Sequence, residues 1–255
     1  MKIISWNCCR GLNSVKADKF IEILKEANNI PEILLIQECY EKDCENIRFA
    51  NKTWFGDKKD GNLGIGIFSN EYKIERMLEH NINYRYIIPY KVSNTELNIV
   101  FILFAVWTKN ICCDYPYIGQ IYGAINYPGY RSLFDGHVII VGDFNANKKW
   151  DDINIKNNNP TFLEVKNRLD EKNIHSIYHR QYHYEFGEEK HMTHCNKNKF
   201  YHIDYCFASD ELAKSSNVII PDHNSDEWEE KNETKRWRKL SDHCPITVKF
   251  NFNLS

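Results

Sequence analysis

The stretch HVIIVGDFNAN, His137–Asn147, decides how the rest of the chain is read. Val138 to Val141 form an apolar run without the polar alternation of a half-exposed strand, and Gly142 closes it. Such a run predicts an inner strand buried on both faces. Asp143 and Asn145 follow at its exit. Side chains at i and i+2 of an extended backbone share a face, so a carboxylate and a carboxamide are expected to point together beyond the sheet.

The same pattern recurs along the chain. KIISW ends at Asn7, EILLIQE closes on Glu38, and the most apolar stretch, ELNIVFILFAVWTKN, ends near Trp107. Later, YHIDYCFAS carries Asp204, and LSDHCPITVKFNF opens on the pair Asp242-His243. NLGIGIFSN, YKIERMLE and NYRYIIPYKV read as further strands. Helical spacing of Val15, Phe20, Ile23, Leu24 and Ala27 predicts a helix over VKADKFIEILKEANN. YIGQIYGAINY reads as a second helix, and TFLEVKNRLDEKN as a third, with Thr161 and Glu164 spaced as a capping box.

Two stretches read as loops: NANKKWDDINIKNNNP, rich in Asn and Asp, and the charged PDHNSDEWEEKNETKRWRKL. No repeat or linker divides the chain, so residues 1–255 are expected to form a single domain.

Composition narrows the function classes. The chain is 42% hydrophobic and 14% aromatic, enough for a large core, and 27% charged, which is ordinary for a globular surface. A formal charge of -2 provides no overall basic field for non-specific polyanion binding, though a local basic patch is compatible with it. No segment is long and apolar enough to span a bilayer. MKIISWNCC turns polar too early for a secretory leader, and nine cysteines without CxxC spacing read as reduced thiols. Together these favour a cytoplasmic protein.

Any one polar residue at a strand end is more often a turn residue than a catalyst, but five short motifs in order carry more weight. WN after the first strand, IQE after the second, GDFN after a central strand, then HIDY and SDHCPI, resemble the endonuclease/exonuclease/phosphatase superfamily, which includes exonuclease III-like and deoxyribonuclease I-like enzymes. The resemblance runs from Asn7 to Ile246. It implies a four-layer α/β sandwich with two packed mixed β-sheets flanked by helices.

Carried onto this chain, the resemblance implies Glu38 as the main ligand of a divalent cation, Mg2+ with Mn2+ as a substitute, helped by Asn7 and lined by Asp242. It implies Asp143 as the base that activates water, Asn145 as a hydrogen-bond donor to the phosphate or nucleophile, and His243 as the charge stabiliser. Asp204 would orient the His243 ring from behind. An anionic phosphodiester repels hydroxide, so a cluster of carboxylates at such a site calls for a cation.

The expected reaction is metal-dependent phosphodiester hydrolysis, with nucleic acid, DNA or RNA, as substrate and no membrane or protein partner in evidence. Hydrolysis of a phosphoinositide or other small phosphoester is the alternative within the fold, and a non-catalytic binding protein is the alternative outside it. Many family members carry a His or Tyr after the strand matching IVFILFAVW; this chain has Trp107, which has no acid/base chemistry. Trp107 is instead read as a core residue or as a substrate contact in the wall of the cleft.

Three other motifs were weighed on their residues. KRWRK, Lys235 to Lys239, interleaves basic residues with an indole, which makes Trp237 and Arg238 candidate substrate contacts, against a self-paired loop with DEWEE. HMTHC offers His191, His194 and Cys195, with His202 or Cys206, to zinc, but the spacing is irregular and a hairpin with incidental histidines is preferred. His175, His179 and His183 recur every four residues and receive no role.

Overall fold

The computed structural model describes residues 1–110, 116–197, 199–221 and 237–252. Two six-stranded sheets hold twelve of the fourteen strands among the described residues. The first contains β1 (Lys2–Asn7), β2 (Ile33–Tyr40), β3 (Asn51–Gly56), β4 (Leu63–Ser69), β13 (Ser216–Ile219) and β14 (Ile246–Phe250), in the order β13-β14-β1-β2-β4-β3. The second contains β5 (Lys73–Arg76), β6 (Ile87–Asn94), β7 (Ile99–Trp107), β8 (Val138–Asp143), β9 (Ile174–Ser176) and β12 (Asp204–Ser209), in the order β5-β6-β7-β8-β12-β9. Each sheet is mixed: β1 runs parallel to β2, and β7 parallel to β8, among otherwise antiparallel neighbours. A separate hairpin joins β10 (His194–Asn196) to β11 (Lys199–Tyr201).

Side-chain alternation sorts these strands into layers. Ile3, Ile33 and Leu35 of the first sheet pack against Leu103, Ala105, Ile139, Val141 and Cys206 of the second, forming the central core. The alternate residues Ile4, Trp6, Leu34 and Ile36 face helix α1 (Ser14–Glu26), which buries Ala17, Phe20, Ile23 and Leu24 against them. On the far side Phe104, Val106, Val138 and Ile140 meet α2 (Ile118–Asn126) and α4 (Phe162–Asp170). The result is the expected helix, sheet, sheet, helix sandwich. Because inner strands are covered on both faces, they read as continuous apolar runs, and each fully buried side chain contributes about 1.5–3 kcal/mol of transfer free energy.

Local signals account for much of this. Asn13 caps α1 by accepting the Lys16 N–H, and Thr161 and Glu164 close a reciprocal capping box on α4. Val15 departs from its predicted place: it lies in the first turn of α1 and is exposed. The Asn-rich stretch after Asn147 is also more ordered than its composition suggests, folding into α3 (Asp151–Lys156), where Asp151 and Asp152 favour the helix start. The second predicted loop lies mostly outside the described residues.

Among the described residues, Cys8, Cys9, Cys39, Cys44, Cys195 and Cys206 form no disulfide. No helix is long and apolar enough to cross a membrane among the described residues.

Candidate active site

The same alternation that builds the core delivers polar side chains to its rim. In β1, Ile3 faces the opposing sheet, and Asn7 lies on that face four residues on. In β8, Ile139 and Val141 face inward, so Asp143 does too; in β12, Cys206 and Ala208 place Asp204 likewise. Asp143 and Asp204 are register partners across β8 and β12, and both are buried.

Asn7 spans the seam between the sheets. Its Nδ2 donates to Glu38 Oε1 at 3.1 Å and to Asp143 Oδ2 at 2.8 Å, while its Oδ1 accepts the Cys9 N–H at 3.0 Å. In a regular strand Glu38 would follow Ile36 toward α1. A bulge between Gln37 and Cys39, with Glu38 at φ +60°, re-aims it. Arg10 N–H then donates to Glu38 Oε2 at 3.0 Å.

Asn145 reaches the same place by a different route from the one alternation predicts. The strand ends at Asp143, and Asn145 adopts a left-handed backbone with φ +45°. Its N–H donates to Asp143 Oδ1 at 2.8 Å, and its Nδ2 donates to Asp143 Oδ2 at 2.7 Å and to Thr108 O at 3.0 Å. An Asx turn, to which Asn is suited, therefore brings the two side chains together.

His243 approaches from the first sheet, just before β14. Its backbone N–H donates to Ser241 Oγ at 3.1 Å, its carbonyl accepts Trp6 Nε1–H at 3.1 Å, and Ser241 Oγ donates to Asn7 O at 2.7 Å. Its Nδ1 lies 2.9 Å from Asp204 Oδ2, which as a carboxylate accepts, so Nδ1 carries a proton. Nε2 then faces Asp143 Oδ2 at 4.0 Å.

Burial and charge act against one another here. Burial raises the Asp143 carboxyl above the usual carboxylate range, more than the donors from Asn7 and Asn145 lower it. For His243 burial opposes the charged ring, yet Asp204 and Asp143 outweigh it and keep the imidazole protonated well above the ordinary histidine range.

Asp242 is exposed beside this group. Burial of its carboxyl is outweighed by His194, His243 and the Cys9 thiol, which hold it below the usual range. His194 Nε2 stands 3.7 Å from Asp242 Oδ2, and its ring is 4.6 Å from that of His243. His194 thus stands beside the candidate site, on the hairpin that the reading of HMTHC expected. An antiparallel bridge between His194 and His243, which only the fold creates, sets it there. His194, Asp242 and His243 form one group of possible metal ligands, and Asp143, Asp204 and His243 another; His191, Cys195, His202 and Cys206 join no such group among the described residues.

Two proposed substrate contacts are corrected. Trp107 is 2% exposed and packs in the central core, with Tyr86 at 4.8 Å, because residue parity in β7 points it between the sheets. Trp237 is 4% exposed and sits against Trp6 and Phe20 of the outer core. Neither indole face is open to stack on a base. Arg238 lies with its guanidinium over Phe200 at 4.8 Å. Lys235 and Arg236 of the same motif lie outside the described residues.

Comparison with known proteins follows from this geometry. A model of the Endonuclease/Exonuclease/phosphatase family matches residues 4–243, which include Asn7, Glu38, Asp143, Asn145, Asp204, Asp242 and His243. The chain belongs to this family. Its members are phosphoester hydrolases, and the α/β sandwich is the family's fold.

Similar solved structures include the human nocturnin catalytic domain, with TM-score 0.62, 15% identity, and coverage of 98% of this chain and 94% of that one. The endonuclease domain of TRAS1, a telomere-specific non-LTR retrotransposon, gives TM-score 0.60 and 15% identity over 98% and 97% of the two chains. An AP endonuclease from Archaeoglobus fulgidus gives 0.58 and 19% over 98% and 99%. At such identities the likeness is one of fold. No curated protein matches the sequence.

Proposed function

We propose that this family member is a divalent-cation-dependent phosphodiesterase that hydrolyses nucleic acid. The observation that carries the reading is the convergence of two pairs across the seam, Asn7 with Asp143 and His243 with Asp204, beside the re-aimed Glu38.

The donors fit a hard cation. Glu38 and Asp143 direct oxygens at the two protons of one carboxamide, and Asp242 adds a further exposed carboxylate nearby. Oxygen-rich sets of this kind suit Mg2+ or Mn2+. Glu38 and Asp242 would hold the ion, while Asn7, with its nitrogen on the carboxylates and its oxygen on Cys9 N–H, keeps Glu38 and Asp143 at a fixed separation. The ion supplies positive charge to the phosphate oxygens.

The chain's own groups supply the rest. Asp143 accepts the proton of the attacking water, and a carboxyl raised by burial is better matched to that work than an ordinary one. Asn145 holds the carboxylate in place through its N–H and Nδ2 donors, and its carboxamide stands where it can also steady the nucleophile. His243, kept cationic by Asp204, faces its Nε2 toward the centre and offsets the charge that builds on the phosphoryl oxygens.

Nucleic acid is favoured as substrate because the TRAS1 and Archaeoglobus structures are, by their descriptions, endonucleases. The test is hydrolysis of duplex DNA, abasic-site DNA, single strands, RNA and a phosphoinositide, each with Mg2+, with chelator, and with Asp143→Ala. Metal-dependent cleavage of a nucleic acid that vanishes in the variant supports the reading. Cleavage of the phosphoinositide alone overturns the nucleic-acid assignment, and no turnover overturns the enzyme.

A further inference from the structure

The segment that carries Asn145 continues into Asn147, which is buried and bonded inward. Asn147 Nδ2 donates to the His202 carbonyl at 2.9 Å and to Glu189 Oε2 at 3.1 Å, with Tyr205 Oη at 3.2 Å. Its Oδ1 accepts the Lys149 N–H at 3.0 Å and caps the next turn. Glu189 is itself 3% exposed. Its other oxygen, Oε1, accepts the Gly187 N–H at 3.0 Å and His179 Nε2–H at 3.2 Å. His179 stands on α5 (Ile177–Tyr182), with Nδ1 2.8 Å from Ser176 Oγ and its ring stacked on Phe186 at 3.5 Å.

One buried carboxylate therefore ties together the loop after β8, the Gly187 turn and α5, and Asn147 extends the tie to a fourth segment, the chain leading into β12. Two of these carry site residues. Asn145 lies two positions before Asn147, and Asp204, which orients His243, lies two positions after His202. A buried carboxylate is costly to desolvate compared with apolar side chains of similar volume, so its worth lies in directional bonding. None of these groups touches the reacting atoms.

We infer that Glu189 is a positioning residue of the active site, fixing through Asn147 the loop that bears Asn145 against the chain that bears Asp204, with His179 as its hydrogen-bond partner. The kinetic arm of this inference rests on the phosphodiesterase reading, while its spectroscopic arm does not. Glu189→Gln is the informative change, because it keeps the volume and removes the acceptor pair. In one amide orientation the new NH2 meets the NH2 of Asn147; in the other it meets the donors of Gly187 and His179. Both set donor against donor, and the loop must shift.

The experiment compares Glu189→Gln, Asn147→Ala and, as a destabilised control that takes no part in the hydrogen-bond network, Ile125→Ala in the outer core. Partners behind a catalytic group typically matter by about 10- to 100-fold, so kcat is expected to fall by that factor in both network variants while KM stays within about twofold. Ile125→Ala is expected to lower Tm as much or more and leave kcat within about twofold. In 1H–15N spectra the Asn145 carboxamide signals, held by Asp143 and Thr108, are expected to move in the network variants and stay in the control. A kcat loss no larger than that of the control, or unmoved Asn145 signals, would overturn the inference. If one network variant does not fold, the other decides. Should the wild type turn over no phosphodiester, the hydrolase reading fails and the Asn145 signals alone decide the positioning role.

Discussion

Asn7 Nδ2 donates to Asp143 Oδ2 at 2.8 Å, and this bond crosses from one sheet to the other. The two residues are separated by 136 positions, and neither strand pairs with the other. The site is thus a property of how two sheets stack, and small changes at its seam should separate chemistry from stability.

Asp143→Asn is expected to reduce kcat by about 10²- to 10⁴-fold, the usual range for loss of a general base. Burial disfavours the Asp143 carboxylate in the fold, while the isostere sets its NH2 against the donors of Asn7 and Asn145, so Tm is expected to fall by only about 2–4 °C. Steady-state kinetics and calorimetry on the same sample check both halves; a large drop in Tm would mean the carboxylate is chiefly structural.

Glu38→Gln keeps an acceptor for the Arg10 N–H and removes the charge. The Mg2+ concentration for half-maximal activity is expected to rise about 10- to 100-fold. Titration of activity against Mg2+ at saturating substrate reads this directly, and an unchanged midpoint would place the ion elsewhere.

Stability is expected to fall on acidification. His202 is fully buried, and burial lowers it from 6.5 to about 4 despite the nearby Glu189. Burial likewise lowers His80 from 6.5 to about 4. Between these values the unfolded chain binds more protons than the folded one, so their contribution is complete above pH 6.5 and is lost as pH falls toward 4. His243 acts oppositely, but its contribution is complete below 6.5 and is lost as pH rises toward about 10. In the same window Asp143, raised by burial to about 7, binds a proton in the fold that the unfolded chain does not and so offsets part of the loss, and the net fall comes from His202 and His80 together. Thermal melts between pH 7 and 4.5 should show Tm falling by roughly 5–10 °C, and His80→Gln should flatten the slope.

Trp237→Ala is expected to cost about 3–5 kcal/mol, since it opens a cavity beside Trp6 and Phe20. For a chain of this size that lowers Tm by about 10 °C. At temperatures where the variant stays folded, KM for nucleic acid is expected to remain within about twofold. A selective rise in KM without loss of Tm would restore the indole to the substrate surface.

Gly142 has φ +146°, and a Cβ there would lie 2.0 Å from the Val106 carbonyl oxygen of β7. Gly142→Ala must push the two central strands apart. Destabilisation of about 2–4 kcal/mol is expected, with activity falling alongside folded protein, as denaturant titration followed by activity recovery would show.

The sequence by itself determined the strand runs, the capped helices and the parity of Asp143 and Asp204, because a strand buried on both faces has to be apolar and alternation then assigns a face. The family motifs supplied the remaining candidates. What only the tertiary structure decided involves departures from that parity and contacts between distant segments. Glu38 points into the site because a bulge and a left-handed backbone re-aim it, and Asn145 because an Asx turn folds it back. Trp107 and Trp237 are core because their parity and packing bury them, though their sequence neighbours suggested a cleft. His194, His179 and Glu189 were passed over because a histidine or glutamate carries no local mark of its partner. Their partners lie 48, 10 and 42 residues away and are brought near by the loops, hairpin and short helix that fold over the sheets.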